Sequence, residues 1–178
     1  MRTGDRTDRH YDPVTIGLHW ATAALVAILW IMGQTIDLLP RGPFRQDLWS
    51  VHVVLGFSLA LVLLGRIVWR LGKGRGLPAA DPGWLHRVAK ATHYALYGLL
   101  LAVVGLGIAN AFVRGFDLFG FWALPQIGAP ALRRPVNGLH ELAANLTLVV
   151  AFIHAAAALV HHYLWKDGVL RRMLPLGS

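Results

Sequence analysis

Four stretches of this chain contain no Asp, Glu, Lys or Arg: residues 13–36, 48–65, 91–113 and 142–165. A hydrocarbon layer about 30 Å thick takes roughly 20 helical residues to cross, so each stretch can span it, the second with help from its flanks. None shows the period-2 alternation of a barrel strand, and lipid admits only helices or closed barrels as spanning backbone. The expected fold is therefore all-α: an integral membrane four-helix bundle. It forms a single domain over residues 1–178, with helices near 13–38, 47–71, 84–113 and 136–166. A composition that is 56% hydrophobic and only 15% charged agrees with lipid as the solvent.

The first apolar stretch is too long for the h-region of a signal peptide and lacks a small-x-small cleavage pattern, so it reads as a retained span. Asp12-Pro13 marks its start. Asp47, Asp81-Pro82 and Pro135 with Asn137 mark the other helix starts less sharply. Gly/Pro-rich loops lie at 39–44, 72–83 and 121–135, the last long enough for a small cap outside the membrane. The tryptophans at positions 20, 30, 49, 69, 84, 122 and 165 read mainly as an interfacial belt.

Four crossings leave both termini and the 72–83 loop on one side. That side carries twelve of the seventeen Lys and Arg residues: Arg2, Arg6, Arg9, Arg66, Arg70, Lys73, Arg75, Arg87, Lys90, Lys166, Arg171 and Arg172. Only Arg41, Arg45, Arg114, Arg133 and Arg134 fall on the other side. By the positive-inside bias both termini are expected in the cytoplasm. The net charge of +8 is then a matter of topology, and no nucleic-acid partner is implied, because the basic residues flank spans instead of forming a separate patch.

Nine histidines are more than such a chain needs, since ionisable groups within lipid are costly and usually functional. His140 and His154 lie fourteen residues apart on the fourth helix. They come back to within about 40° of one face and are separated by roughly 21 Å along the axis. His19, about two turns into the first helix, matches the depth of His154, while His52 on the second helix matches His140. Two neutral imidazoles facing each other suit six-coordinate haem iron, which passes electrons and keeps small ligands off the metal. An interhelical hydrogen bond accounts equally well for any one of these histidines taken alone. Zinc would call for a fuller shell, and no carboxylate lies within the spans to complete one. The chain has no cysteine, so any haem is held non-covalently.

Further residues fit around these pairs. Arg66, fourteen residues after His52, falls on the same face near the inner pair and could clasp a propionate, with Arg70 one turn on; snorkelling to headgroups explains both equally. Gly56 could give a porphyrin room beside His52, as could Gly17, Gly98, Gly105 and Gly107, although small residues also serve plain helix packing. His86 and His93 share a face of the third helix and are rival ligands or quinone-side groups. His161 and His162 are shallower and suit a quinone carbonyl or a proton relay. Glu141, beside His140, suits proton handling or simple dipole complementation.

The HAAAALVHHYLWKD string from His154 to Asp167, followed by LRRMLP from Leu170 to Pro175, closely resembles the C-terminus of bacterial cytochrome b561. His19-Trp20, His52 with Gly56, and HELAANL from His140 to Leu146 extend the resemblance over essentially the whole chain. It implies a dihaem protein of the bacterial inner membrane with two b haems, each between two histidines. The family's ligands fall on His19, His52, His140 and His154. It further implies a superoxide oxidase, passing electrons from superoxide to ubiquinone. Arg114, Arg133 and Arg134 would then steer the anion at the outer face, or hold outer propionates or headgroups. A second class is a dihaem subunit that exchanges electrons between a partner dehydrogenase or hydrogenase and the quinone pool. A metal or proton transporter lacks the broken helices and paired carboxylates expected of it.

The charge bias yields a direct test. A reporter fused after Ser178 should be active only if it works in the cytoplasm; activity restricted to an externally active reporter would reverse the orientation.

Overall fold

The computed structural model describes residues 10–74 and 83–174. Four long helices dominate it: α1 (Pro13–Thr35), α2 (Pro43–Gly72), α3 (Trp84–Arg114) and α4 (Arg133–Val160). All four are long and apolar enough to cross a membrane. Around the bundle α1 packs against α2, α2 against α3, α3 most extensively against α4, and α4 back against α1. The molecule is apolar outside: Leu61, Leu64 and Phe152 are exposed, as expected of side chains that face lipid tails. Its interior core is small, built from residues such as Leu29, Leu59, Leu63, Leu100 and Val103. The buried hydroxyls of Thr22, Ser50 and Thr147 each donate to the carbonyl four residues earlier, which satisfies them within their own helix.

Local chemistry sets the helix ends. Asp12 caps α1, its Oδ1 accepting from Thr15 N at 2.9 Å, with Pro13 in the first position where a missing N–H costs nothing. The helix tightens into a 3-10 turn, Ile36–Leu38, before the chain turns. The second helix begins at Pro43, earlier than the expected 47, because this proline supplies the start signal. The fourth begins at Arg133 instead of 136: a 3-10 turn over Pro130–Leu132 leads into it, and Pro135 is tolerated in its first turn. Asp81-Pro82, the expected third start, and the basic residues Arg2, Arg6, Arg9 and Arg75 lie outside the described residues. At the far end of α3, Gly115 adopts φ +60° and the Phe116 N–H returns to the Ala111 carbonyl, a left-handed stop that favours glycine.

The ends of the bundle differ. At one end a two-residue hairpin, β1 (Asp117–Leu118) and β2 (Trp122–Ala123), adds the only strands among the described residues to an otherwise helical fold. Its turn puts Phe119 and Gly120 at positive φ. Gln46 donates to the Asp117 carbonyl, and Ser50 Oγ accepts the Phe119 N–H at 2.9 Å, so the hairpin is pinned to the start of α2. At the other end the first and last described segments of the chain meet. Tyr11 N donates to the Arg172 carbonyl at 3.1 Å, and Trp20 Nε1 to the Met173 carbonyl at 2.8 Å. Trp69 Nε1 from α2 reaches the Asp12 cap at 2.9 Å.

Ser50→Ala should release the hairpin. The part-buried Phe119 N–H loses its acceptor, at a cost of about 0.5–1.5 kcal/mol. Reversible unfolding in detergent, with hydrogen exchange at Phe119, should register both the loss and its location.

Candidate functional site

At the hairpin end, His52 from α2 and His140 from α4 face each other across the bundle, ring centroids 6.5 Å apart and planes at 85°. Between them lies a cavity of about 390 Å³, within the usual range of roughly 300–1,000 Å³ for cofactor pockets. Gly33, Gly56 and Gly107 form parts of its wall. Trp49 sets its ring edge-on against His52, centroids 5.4 Å apart. His140 Nδ1 lies 2.9 Å from the Val103 carbonyl, which can only accept, so this nitrogen carries the proton. His52 Nδ1 is buried with no hydrogen-bond partner.

Polar groups also line the cavity. Arg114 donates to Asn110 and Asn137, each at 3.0 Å, Asn110 donates to Asn137, and Asn137 donates to Glu141 at 2.6 Å. Arg45, also on the lining, is paired with Asp37, which also accepts from Trp49. Trp30, on the cavity wall, donates its Nε1–H to Asn145 at 2.9 Å. Arg133 instead reaches out of the site to the Val113 and Arg114 carbonyls at the end of α3, where a cation complements the helix dipole. Arg134 is exposed.

At the terminal end, His19 from α1 and His154 from α4 stand 6.4 Å apart with planes at 71°, close to the separation of the other pair. Here there is a third imidazole: His93 of α3 lies 5.3 Å from His154. Arg66 donates to His19 Nδ1 at 3.2 Å, with its guanidinium over the Tyr97 ring at 5.3 Å. Arg70 lies over Tyr11 at 5.8 Å, and His86 is exposed. Beyond His154, α4 widens into a π-turn, His161–Trp165, and stops at Lys166 in the left-handed region. Such π-turns often accompany functional sites. His161 Nδ1 makes a short contact with Asp167, and His162 stacks edge-on against Tyr163. Burial alone would raise the Asp167 carboxyl, but hydrogen bonds from His161 and the Val169 N–H, with the charges of His161 and Arg172, hold it below its usual range.

The two ring gaps fit a metal seated between opposed imidazoles. Two metal–nitrogen bonds of about 2 Å and two half-rings of about 1 Å make roughly 6 Å. The unpartnered His52 nitrogen and the glycine-lined cavity fit a flat group as well. The structure thus brings together His52 with His140 and Gly56, and His19 with His154 and Arg66. Sequence reasoning left out Arg45, Asn110 and Asn137, and it assigned Trp30 and Trp49 to an interfacial belt, whereas both line the cavity. An indole N–H within a span needs an acceptor, and Asn145 and Asp37 were the available ones. Asn110, an amide near the end of an apolar helix, was the other signal.

Residues 10–176 match the family described as prokaryotic cytochrome b561. The chain is 30% identical to a probable superoxide oxidase, CybB, of Yersinia pestis, over 94% of this chain and 97% of that one. It is 32% identical to a cytochrome b562 of Cereibacter sphaeroides, over 92% and 94% of the two chains. It is 30% identical to cytochrome b561 homolog 2 of Escherichia coli, over 97% and 95%.

The Asp167 contacts carry a pH dependence. A carboxyl with a lowered pKa contributes stability that is fully present above its unfolded value, near 3.8, and is lost as pH falls through the lower folded value. Amide protection over residues 161–169 should therefore lose this contribution only below the usual carboxylate range. In Asp167→Asn that acid-dependent loss should disappear, and protection should be weaker already at neutral pH.

Proposed function

The chain belongs to the prokaryotic cytochrome b561 family, whose members bind haem b and transfer electrons in membranes, and from that premise we propose that it is a dihaem superoxide:ubiquinone oxidoreductase. One haem sits between His52 and His140 and the other between His19 and His154. The observation that carries this reading is the pair of opposed imidazoles at each end of the bundle, with nearly equal gaps of 6.5 and 6.4 Å. The similarity to the Yersinia pestis protein supports the choice of donor.

Haem held by these histidines would supply one-electron chemistry. The protein's own residues do the rest. Gly56 leaves room beside the outer group. Arg66 donates to His19 Nδ1 in this structure, and with Arg70 it would supply the positive charge to hold a propionate of the inner haem. Two superoxide anions each give up one electron and leave as dioxygen. Ubiquinone takes both electrons and two protons. His161 and His162 bind or protonate the quinone at the end where the termini meet, and Asp167 supports His161. Arg114 and Arg134 provide a positive field for the anion at the outer face, to which Arg133 adds charge while it caps α3. The protein lies in the bacterial inner membrane with its termini cytoplasmic.

The test starts from purified protein, which should contain two haems per chain. Replacing His52 or His140 with Ala should release the outer haem, and replacing His19 or His154 the inner one; substitution of His93 should release neither. Superoxide should reduce the haems and then ubiquinone, at a rate that falls as ionic strength rises. A protein that holds both haems but cannot couple superoxide loss to quinone reduction would instead be an electron-transfer subunit for a partner dehydrogenase or hydrogenase.

A further inference from the structure

His140 is held differently from its opposite number. Its Nδ1 donates to the Val103 carbonyl of α3 at 2.9 Å, although that carbonyl lies within a continuous helix. A backbone oxygen has a second lone pair, and the ring reaches it only by lying against the helix backbone one turn along. Gly107 makes that approach possible. A Cβ added there would stand 2.9 Å from His140 Cε1, 3.3 Å from Nδ1 and 3.8 Å from Nε2. The first distance is closer than real side chains tolerate, and the neighbour is a stiff ring. Gly98 and Gly105 on the same helix would meet nothing within 4 Å, so this contact is particular to position 107. On the opposite side, Gly33 would meet His52 only at an ordinary 3.8 Å, and His52 Nδ1 has no acceptor.

We propose that Gly107 is a positioning residue: by lacking a side chain it admits the His140 ring to the Val103 carbonyl, which fixes the proton on Nδ1 and leaves Nε2 bare to face the outer cavity. This rests on the reading of His140 as a haem ligand. A hydrogen bond to the far nitrogen makes an imidazole a stronger donor to the metal and locks its rotation. The two ligands of the outer haem would thereby be unequal, since His140 carries a hydrogen bond on its far nitrogen that His52 lacks.

The test is Gly107→Ala in the full chain, with Gly105→Ala as control, reading haem content, low-temperature electron paramagnetic resonance and the potential of each haem. Gly107→Ala should weaken retention of the outer haem by roughly tenfold to a hundredfold. It should also shift that haem's low-spin signal and potential, with the inner haem unchanged. Gly105→Ala should match the unsubstituted protein. Outer-haem content, signal and potential unchanged in Gly107→Ala would overturn the inference. If His140→Ala keeps its outer haem, the ligand assignment itself fails. If His140→Ala loses that haem while Gly107→Ala behaves normally, only the role of Gly107 fails. Should Gly107→Ala not accumulate, electron–nuclear double resonance on the unsubstituted protein decides. One outer ligand must carry a hydrogen-bonded Nδ1 proton that the other lacks, and two equivalent imidazoles would overturn the proposal.

Discussion

Inside a bilayer no water is present to accept a stray hydrogen bond, and the architecture follows from that shortage. The backbone solves it by forming four helices. The side chains solve it locally where they can, as Thr22, Ser50 and Thr147 do by returning to their own helices. What cannot be satisfied that way has to meet across the bundle. Indoles, amides, guanidinium groups and imidazoles therefore collect on the inward faces, while leucines and phenylalanines cover the outside. The core is small because much of the interior is given over to these polar contacts and to a cavity.

The two ends use this arrangement differently. At the hairpin end the imidazoles line a cavity whose wall includes amides and two arginines, each arginine tied to a neighbour. At the terminal end a third histidine and the Arg66 guanidinium, which bonds His19 and lies over Tyr97, crowd the corresponding pair. Two nearly equal ring gaps thus stand in unlike surroundings.

Much of this was legible from residue order. Span length and absence of charge gave the helices, and the fourteen-residue interval between His140 and His154 placed imidazoles at two depths of one face. Helix starts were read less well where two signals competed, as at Pro43 against Asp47 and at Arg133 against Pro135. What sequence could not supply was side-chain direction between helices. Trp30 and Trp49 look like interfacial residues until Asn145 and Asp37 are seen to accept from them. Likewise Gly107 is one of several glycines on α3 until the His140 ring is found lying against it.

The clasp between the two chain ends bears on how the molecule is made. Tyr11 and Trp20 are joined to Arg172 and Met173, residues separated by almost the entire length of the polypeptide. Synthesis proceeds from the N-terminus, so the first helix enters the membrane long before its partner residues leave the ribosome. Until then its polar start faces lipid headgroups or the insertion machinery. The bonds to Arg172 and Met173 can consequently form only after all four spans have been made. A nascent chain cut short near residue 165 would hold every membrane span and still lack the latch.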